Sequence, residues 1–497
     1  MKGLAAVPVL GALAWESNFF YQKSKYKNKG LSFQFSPLKK LKASRSRTIR
    51  LGFIGTGIRG KYLLEGLGFV HPDTIDRWRR EEKENPKKNR YSRFMEQGDL
   101  NVEIAAVCDV FDVRAQLAIE TGANRYRNGK GEKMAPKPKR YAHYKELLRD
   151  STIDAVVIAT PDHWHGTMVI EAAKHGKHIY VEKPVTWQLE ETYRVRRAVK
   201  KSGITFQLGH QNRQIEAYDQ ARQLVERGAL GHVSLIEVTT NRNSPNGAWV
   251  YPIHPNASSQ TIDWQQFLGP APRHAFSRER FFRWRCWWDY STGLIGDLFT
   301  HEYDCINQIF SAGIPSSATA SGGIYHFKDG RTVPDTLQVT LEFADKNMSM
   351  LYSASQANSL NRGKTLMGTE ASIKLGRGLE LYVDNNSKKY KEAIRSKRVS
   401  PDKPAYLFDP SRGLDGMSSP TEKYFADRGL LDTTRKGKSV STTFLHMEEW
   451  LDAIRLKKDT SCNIDRAFEE GISTHMATMA FKEKRTVFWD KEKEVIV

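Results

Sequence analysis

Asp297 and His301 stand four residues apart in the stretch DLFTHEYDCINQIF. Its pattern predicts a helix, and that spacing puts both side chains on one face. A carboxylate beside an imidazole can orient the ring and stabilise its charged form, which suits the pair to moving a proton. Each residue also has a structural explanation, Asp297 as a helix N-cap and His301 as a hydrogen-bonded core histidine. A metal site would need a third ligand such as His210 or Glu302; no zinc-type ligand spacing is present, and no metal is expected. A second chemistry sits far upstream. Gly55-Thr56-Gly57-Ile58-Arg59-Gly60 follows the apolar run Thr48–Ile54 and precedes the helical pattern KYLLEGL. GxGxxG between strand and helix is a pyrophosphate cradle: Gly55 for the tight turn, Gly57 for close approach of the backbone, Gly60 for packing of helix on strand. The anion sits at the helix N-terminus, where free N–H groups and the helix dipole favour negative charge.

Positioning these groups requires a sheet. Strand-type runs occur at 102–107 (VEIAAV), 155–158 (AVVI), 178–181 (HIYV) and 204–208 (ITFQL), with MVIEAAKHG and LEETYRVRRAVKKSG as helices between the later ones. Such alternation predicts a parallel, doubly wound sheet whose ligands bind beyond the strand C-termini. Those termini carry Gly55 to Gly60, Asp109, the run Thr160-Pro161-Asp162-His163-Trp164-His165, and Glu182-Lys183-Pro184. Asp109 at the tip of the second strand is placed to hold a ribose hydroxyl. Its offset of about fifty residues from the glycines, against about twenty in the usual motif, is accounted for by an insertion at 70–99. Against a 2′-phosphate Asp109 would be a like charge, so NAD is expected over NADP, with Arg114 leaving NADP open.

The 497 residues imply two or three domains. Four cysteines without a CxxC pair exclude a disulfide framework or a cysteine-rich zinc module and read as buried small residues. Net charge is +20, but eleven Lys and Arg against one acid in the first fifty residues carry half of it. With no nucleic-acid signature elsewhere, nucleic acid is not an expected partner. Residues 3–15 (GLAAVPVLGALAW) are too short to span a membrane and resemble a signal-peptide core with an A-x-A site at 12–14, so export to the periplasm is expected, with a cytoplasmic location as the alternative. The twin-arginine pair that such a signal would carry is absent. The expected organisation is 1–47 as signal-like segment and solvated basic linker, 48–210 as the dinucleotide domain, and 211–497 as a second domain. Two charged segments, 70–99 and 128–140, read as surface insertions.

The pieces FIGTGIRG, ATPDHWH, VEKPV, GDLFTHEYD and TVFWD, in this order from Thr48 onward, resemble the Gfo/Idh/MocA oxidoreductases. The resemblance implies an α/β chain: an N-terminal Rossmann domain with a doubly wound parallel sheet, then a C-terminal α/β domain with a large, mostly antiparallel open sheet. It also implies a nicotinamide cofactor between them and homo-oligomers formed through the second sheet. The β-type runs at 233–240, 336–343 and 348–353 agree with this. By the same resemblance Lys183, Asp297 and His301 surround the reacting carbon of a carbohydrate. His301 is then the expected general base, Lys183 the donor to the reacting oxygen, and Asp297 the partner of a neighbouring hydroxyl or of the imidazole. Thr160, Pro161, His163, His165, Glu182 and Lys183 join the glycine turn and Asp109 as expected cofactor contacts. Trp284, Trp287 and Trp288 in FFRWRCWWDY, with His210 and Arg213 in GHQNR, are expected substrate contacts, because flat rings beside polar donors suit a sugar. The implied activity is NAD(P)-dependent hydride transfer from a sugar or cyclitol hydroxyl. Glycoside cleavage through a transient oxidation with retained NAD, and a non-catalytic sugar or nucleotide sensor, are the alternatives.

Overall fold

The computed structural model describes residues 30–36, 41–86, 88–125, 133–243, 248–360, 362–376, 378–409, 432–435 and 438–497. Six parallel strands form the first sheet: β1 (Ile49–Ile54), β2 (Val102–Cys108), β3 (Lys139–Arg140), β4 (Ala155–Ile158), β5 (His178–Val181) and β6 (Phe206–Leu208). Their order is β3-β2-β1-β4-β5-β6, so the chain winds outward from β1 in both directions. The strands are short apolar runs because both sheet faces are covered; all four residues of β4 are buried. Covering them are α1 (Ile58–Leu67), α2 (Asp112–Gly122), α3 (Asp162–Lys174) and α4 (Leu189–Ser202). The order reverses beside β1, and the glycine turn, Asp109 and Thr160 all lie at strand ends there.

The second sheet has ten strands: β7 (Val233–Asn241), β8 (Ser317–Gly323), β9 (Thr336–Phe343), β10 (Met348–Ser355), β11 (Lys364–Gly368), β12 (Ala371–Leu375), β13 (Leu379–Val383), β14 (Tyr406–Phe408), β15 (Val487–Asp490) and β16 (Val495–Ile496). They run in the order β14-β13-β12-β11-β7-β10-β9-β8-β15-β16. Pairing is antiparallel except between β7 and β10. One face alternates inward; in β9 the residues Leu337, Val339, Leu341 and Phe343 are buried. Against it pack α5 (Thr300–Phe310) and α7 (Ile464–Glu483), which share its core.

The border at 210/211 divides the chain but not the cores. Helix α6 (Thr442–Leu456) crosses back to the first sheet, where Phe444, Met447, Trp450 and Leu451 pack with Leu63, Leu64 and Tyr180. Residues 1–29, with the signal-like run, lie outside the described residues. Within its described residues, the expected solvated linker is corrected at 31–36 and at Arg45. Residues 31–36 alternate half-buried and exposed: Leu31 N donates to Ala405 O, Phe33 and Phe35 pack on Tyr406, and Gln223 exchanges two hydrogen bonds with Ser36. Arg45 then pairs with Glu448 at 2.7 Å. Its charge therefore ties the N-terminal segment to α6 rather than to solvent. The insertion at 70–99 is helical, and Val70, Ile75, Trp78 and Phe94 form a small core of its own. The second insertion ends in the edge strand β3, whose two residues are exposed. All four cysteines are buried and free. Among the described residues no helix is long and apolar enough to cross a membrane, and no group of three or more His, Cys, Asp or Glu side chains is arranged to hold a metal.

Candidate active site

At the C-terminal edge of the first sheet a cavity opens between the two lobes, lined by Gly55, Gly57, Ile58, Arg59, Asp109, Thr160, Pro161, His165, Glu182, Lys183, Asp297 and His301 among others. The turn after β1 is dictated by contact. Gly55 has φ +83°, and a Cβ there would lie 2.7 Å from Ala159 O. Asp109 locks this turn to β2: Oδ2 accepts from Thr56 N (2.7 Å) and Thr56 Oγ1 (3.0 Å), Oδ1 from Phe111 N (2.9 Å). Arg59 Nε donates to Glu182 Oε1 at 2.7 Å, fastening the start of α1 to the end of β5. Arg114 lies over the rings of Phe281 and Phe282, with its Cζ 5.2 and 5.1 Å from their centroids, beside Gly57.

The other wall begins with a π-helical turn, Ile295–Phe299, that leads into α5. Gly296 is obligatory in it, because a Cβ would collide with Thr292 Oγ1, which is itself bonded to Asp162 Oδ2 at 2.9 Å. The wider turn presents Asp297 to three donors. Lys183 Nζ (3.2 Å) and Arg285 Nε (3.1 Å) reach Oδ1, and Trp249 Nε1 reaches Oδ2 at 2.9 Å. Lys183 Nζ also donates to the main-chain oxygens of Asp297 (2.7 Å) and Gly296 (3.4 Å). Burial lowers the pKa of Lys183, and the Asp297 carboxylate works against that shift. His301 lines the cavity with Nδ1 buried and unpartnered. Burial, then the charge of Lys183, holds its pKa well below the ordinary value, so the resting ring is neutral.

Several expected contacts lie elsewhere. Thr56 is buried on Asp109. His163 is wholly buried with Nε2 on Phe267 O at 2.8 Å, part of the aromatic packing that joins the lobes. His210 is also wholly buried, behind His301. Arg213 is committed to Asp304 through three hydrogen bonds of 2.6 to 3.0 Å, because a buried guanidinium needs a fixed anion. Trp287 lies under Arg280, and Trp288 packs on Phe481 and Lys482. None of these lines the cavity, whereas Trp284 does. Residues missed in the sequence are Trp249, Arg285, Tyr251, Phe281 and Phe282. The last two and Arg285 belong to the aromatic run already singled out, but nothing local marks which rings turn inward; Trp249 had no signal.

Residues 49–210 match the family model for the NAD-binding Rossmann fold of the GFO/IDH/MocA oxidoreductases, and residues 261–488 match the model for their C-terminal alpha/beta domain. The chain belongs to the Gfo/Idh/MocA oxidoreductase family. Among relatives, it is 26% identical over 231 residues to 2,7-anhydro-N-acetylneuraminate hydratase of Escherichia coli K12, covering 46% of this chain and 53% of that protein. It is 44% identical over 86 residues to scyllo-inositol 2-dehydrogenase (NAD(+)) of Bacillus subtilis 168, covering 17% of this chain and 25% of that protein. The chain thus spans about half or less of the length of these two curated relatives. A levoglucosan dehydrogenase solved with NADH and levoglucosan superposes with TM-score 0.58 at 17% identity, covering 89% of this chain and 99% of that one.

The cavity of this family member fits NAD. The glycine turn leaves the backbone N–H groups at the start of α1 without a capping side chain. Gly55, Gly57, Ile58 and Arg59 would hold the pyrophosphate, Asp109 and Arg114 the adenosine end, and Thr160, Pro161, Glu182 and Lys183 the nicotinamide end.

Proposed function

We propose that this chain is an NAD-dependent dehydrogenase acting on a hydroxyl of a sugar or cyclitol. The observation that carries this reading is the meeting of Lys183, Asp297 and His301 in the cavity that the glycine turn also lines. Bound NAD supplies a hydride acceptor. The chain's own residues manage the proton and the charge. His301 takes the hydroxyl proton on the nitrogen left to the cavity. Lys183 donates to the oxygen that becomes negative, exchanging its longest bond, the 3.4 Å contact to Gly296 O, for the substrate. Asp297 aims the ammonium, and Trp249 and Arg285 hold Asp297. Trp284 and Tyr251 provide flat apolar walls for a ring.

The test is a panel of sugars, anhydrosugars and cyclitols with added NAD, read as absorbance of the reduced nicotinamide. Stoichiometric reduction by at least one member, lost by 10²-fold or more in Lys183→Ala and His301→Ala, is expected. Unchanged turnover in both variants overturns the assignment. We also infer a homo-oligomer built on the outer face of the ten-stranded sheet, where Leu351 is 39% exposed. Sedimentation as a monomer at micromolar concentration would end that inference.

A further inference from the structure

Behind the catalytic groups lies a polar cluster for which the reaction above has no use. His210, in the turn after β6, is 0% exposed, and neither ring nitrogen has a hydrogen-bond partner. Its ring stands perpendicular to that of His301, centroids 5.4 Å apart. His210 Nε2 lies 3.9 Å from Glu470 Oε1 on α7, and Nδ1 lies 3.9 Å from Asp304 Oδ2 on α5. Both carboxyl oxygens of Glu470, 1% exposed, are likewise without a well-formed hydrogen bond, as is His301 Nδ1. Buried polar atoms are nearly always paired, with ordered water supplying what the chain does not. Here five atoms without a well-formed hydrogen bond, from three side chains, are gathered beside one cavity. Separations of 3.9 Å are too long for a direct bond and close enough for a small shift or one lateral water to complete it.

We propose that His301, His210 and Glu470 form an internal proton relay, with Glu470 the buried store for the proton exchanged at the substrate oxygen. The relay rests on the reading of His301 as the group that meets that oxygen. When a hydroxyl is made, the cavity-side N–H bond of His301 breaks as the substrate O–H bond forms, and His301 Nδ1 takes a proton from His210 Nδ1 through a water that the relay requires between the two rings, whose centroids are 5.4 Å apart. His210 Nε2 takes one from the Glu470 carboxyl, which is left as carboxylate. Both rings change tautomer and neither gathers charge. Oxidation of a hydroxyl runs the same transfers in reverse. Burial favours such neutral rings: it pushes His210 down to about 4 and the Glu470 carboxyl up to about 8. Asp304, Arg213, Lys183 and Glu182 also face His210, and Asp304, Lys183, Asp162 and the Val185 N–H face Glu470. Around His301 stand Lys183, Asp297 and Arg59.

The test uses the NAD-bound protein, Glu470→Gln, which matches the protonated side chain in shape and charge, and His210→Phe. Nitrogen-15 histidine NMR from about pH 6 to about pH 10 needs no substrate. The His210 resonances should inflect near the value of about 8 set by Glu470 and lose that inflection in Glu470→Gln. With the best substrate of the panel, hydroxyl formation should fall and hydroxyl oxidation rise through the same pH. Both variants should slow by about tenfold or more without change in KM or NAD affinity, and lose the inflection. A wild-type pH profile in Glu470→Gln, or His210 resonances indifferent to Glu470, would overturn the relay. If no panel member reacts, the dehydrogenase reading fails while the NMR measurement still decides the relay.

Discussion

Replacing Trp249 by Phe removes one N–H and leaves a ring. That N–H donates to Asp297 Oδ2 at 2.9 Å, and Asp297 in turn aims Lys183 through Oδ1. A hydrogen bond to a charged group contributes about 1.5–3 kcal/mol, most of it as the cost of leaving the buried acceptor unmet. At about 1.4 kcal/mol per tenfold in rate, its loss corresponds to roughly 10- to 100-fold in kcat/KM. Lys183 and Arg285 still hold Oδ1, so the lower end, about tenfold, is expected. Trp249 is 3% exposed, and the smaller ring also lowers stability by about 1–3 kcal/mol, which thermal unfolding reads separately. The assay is initial rate against substrate concentration in parallel with NAD titration by fluorescence. Turnover should drop while NAD affinity holds, because Trp249 bonds the substrate wall and not the glycine turn. A variant with full kcat/KM, or one that loses NAD affinity as steeply as activity, would refute the idea that the indole acts through Asp297.

Gly55→Ala is expected to lose about 2–5 kcal/mol of stability and its NAD binding, since the residue has φ +83° and the new methyl would meet Ala159 O at 2.7 Å; an unchanged melting temperature would contradict the turn geometry. Asp109→Asn removes the charge and keeps one acceptor for Thr56, so the preference for NAD over NADP should narrow by about tenfold in dissociation constants; an unaltered ratio would exclude Asp109 as its source. Burial, then Lys482, holds His475 at about 4, while in the unfolded chain it titrates near its usual value of about 6.5. Below that value the unfolded chain takes up a proton that the folded one refuses, so relative to His475→Gln the wild type should lose about 2 kcal/mol between pH 7 and pH 5 in denaturant titrations. Equal pH dependence in the two proteins would refute the shift.

The sequence alone determined the elements whose signals are local. The glycine turn could be read because its conformation is set by neighbours in the chain, and the short apolar strands because a sheet covered on both faces demands them. Lys183 at a strand end and Asp297 four residues before His301 were legible as types and spacing, and their roles only through the family resemblance. Only the tertiary structure decided what surrounds them. Trp249 reaches Asp297 across 48 residues, with no periodicity to announce it. Arg213 carries the same charge as Arg285, yet one is consumed by Asp304 in the core and the other lines the cavity; that choice depends on which carboxylate each meets after folding. The helix Thr442–Leu456 shows its apolar face in sequence but not the sheet it covers, because a hydrophobic stripe states that it must be buried without stating against what.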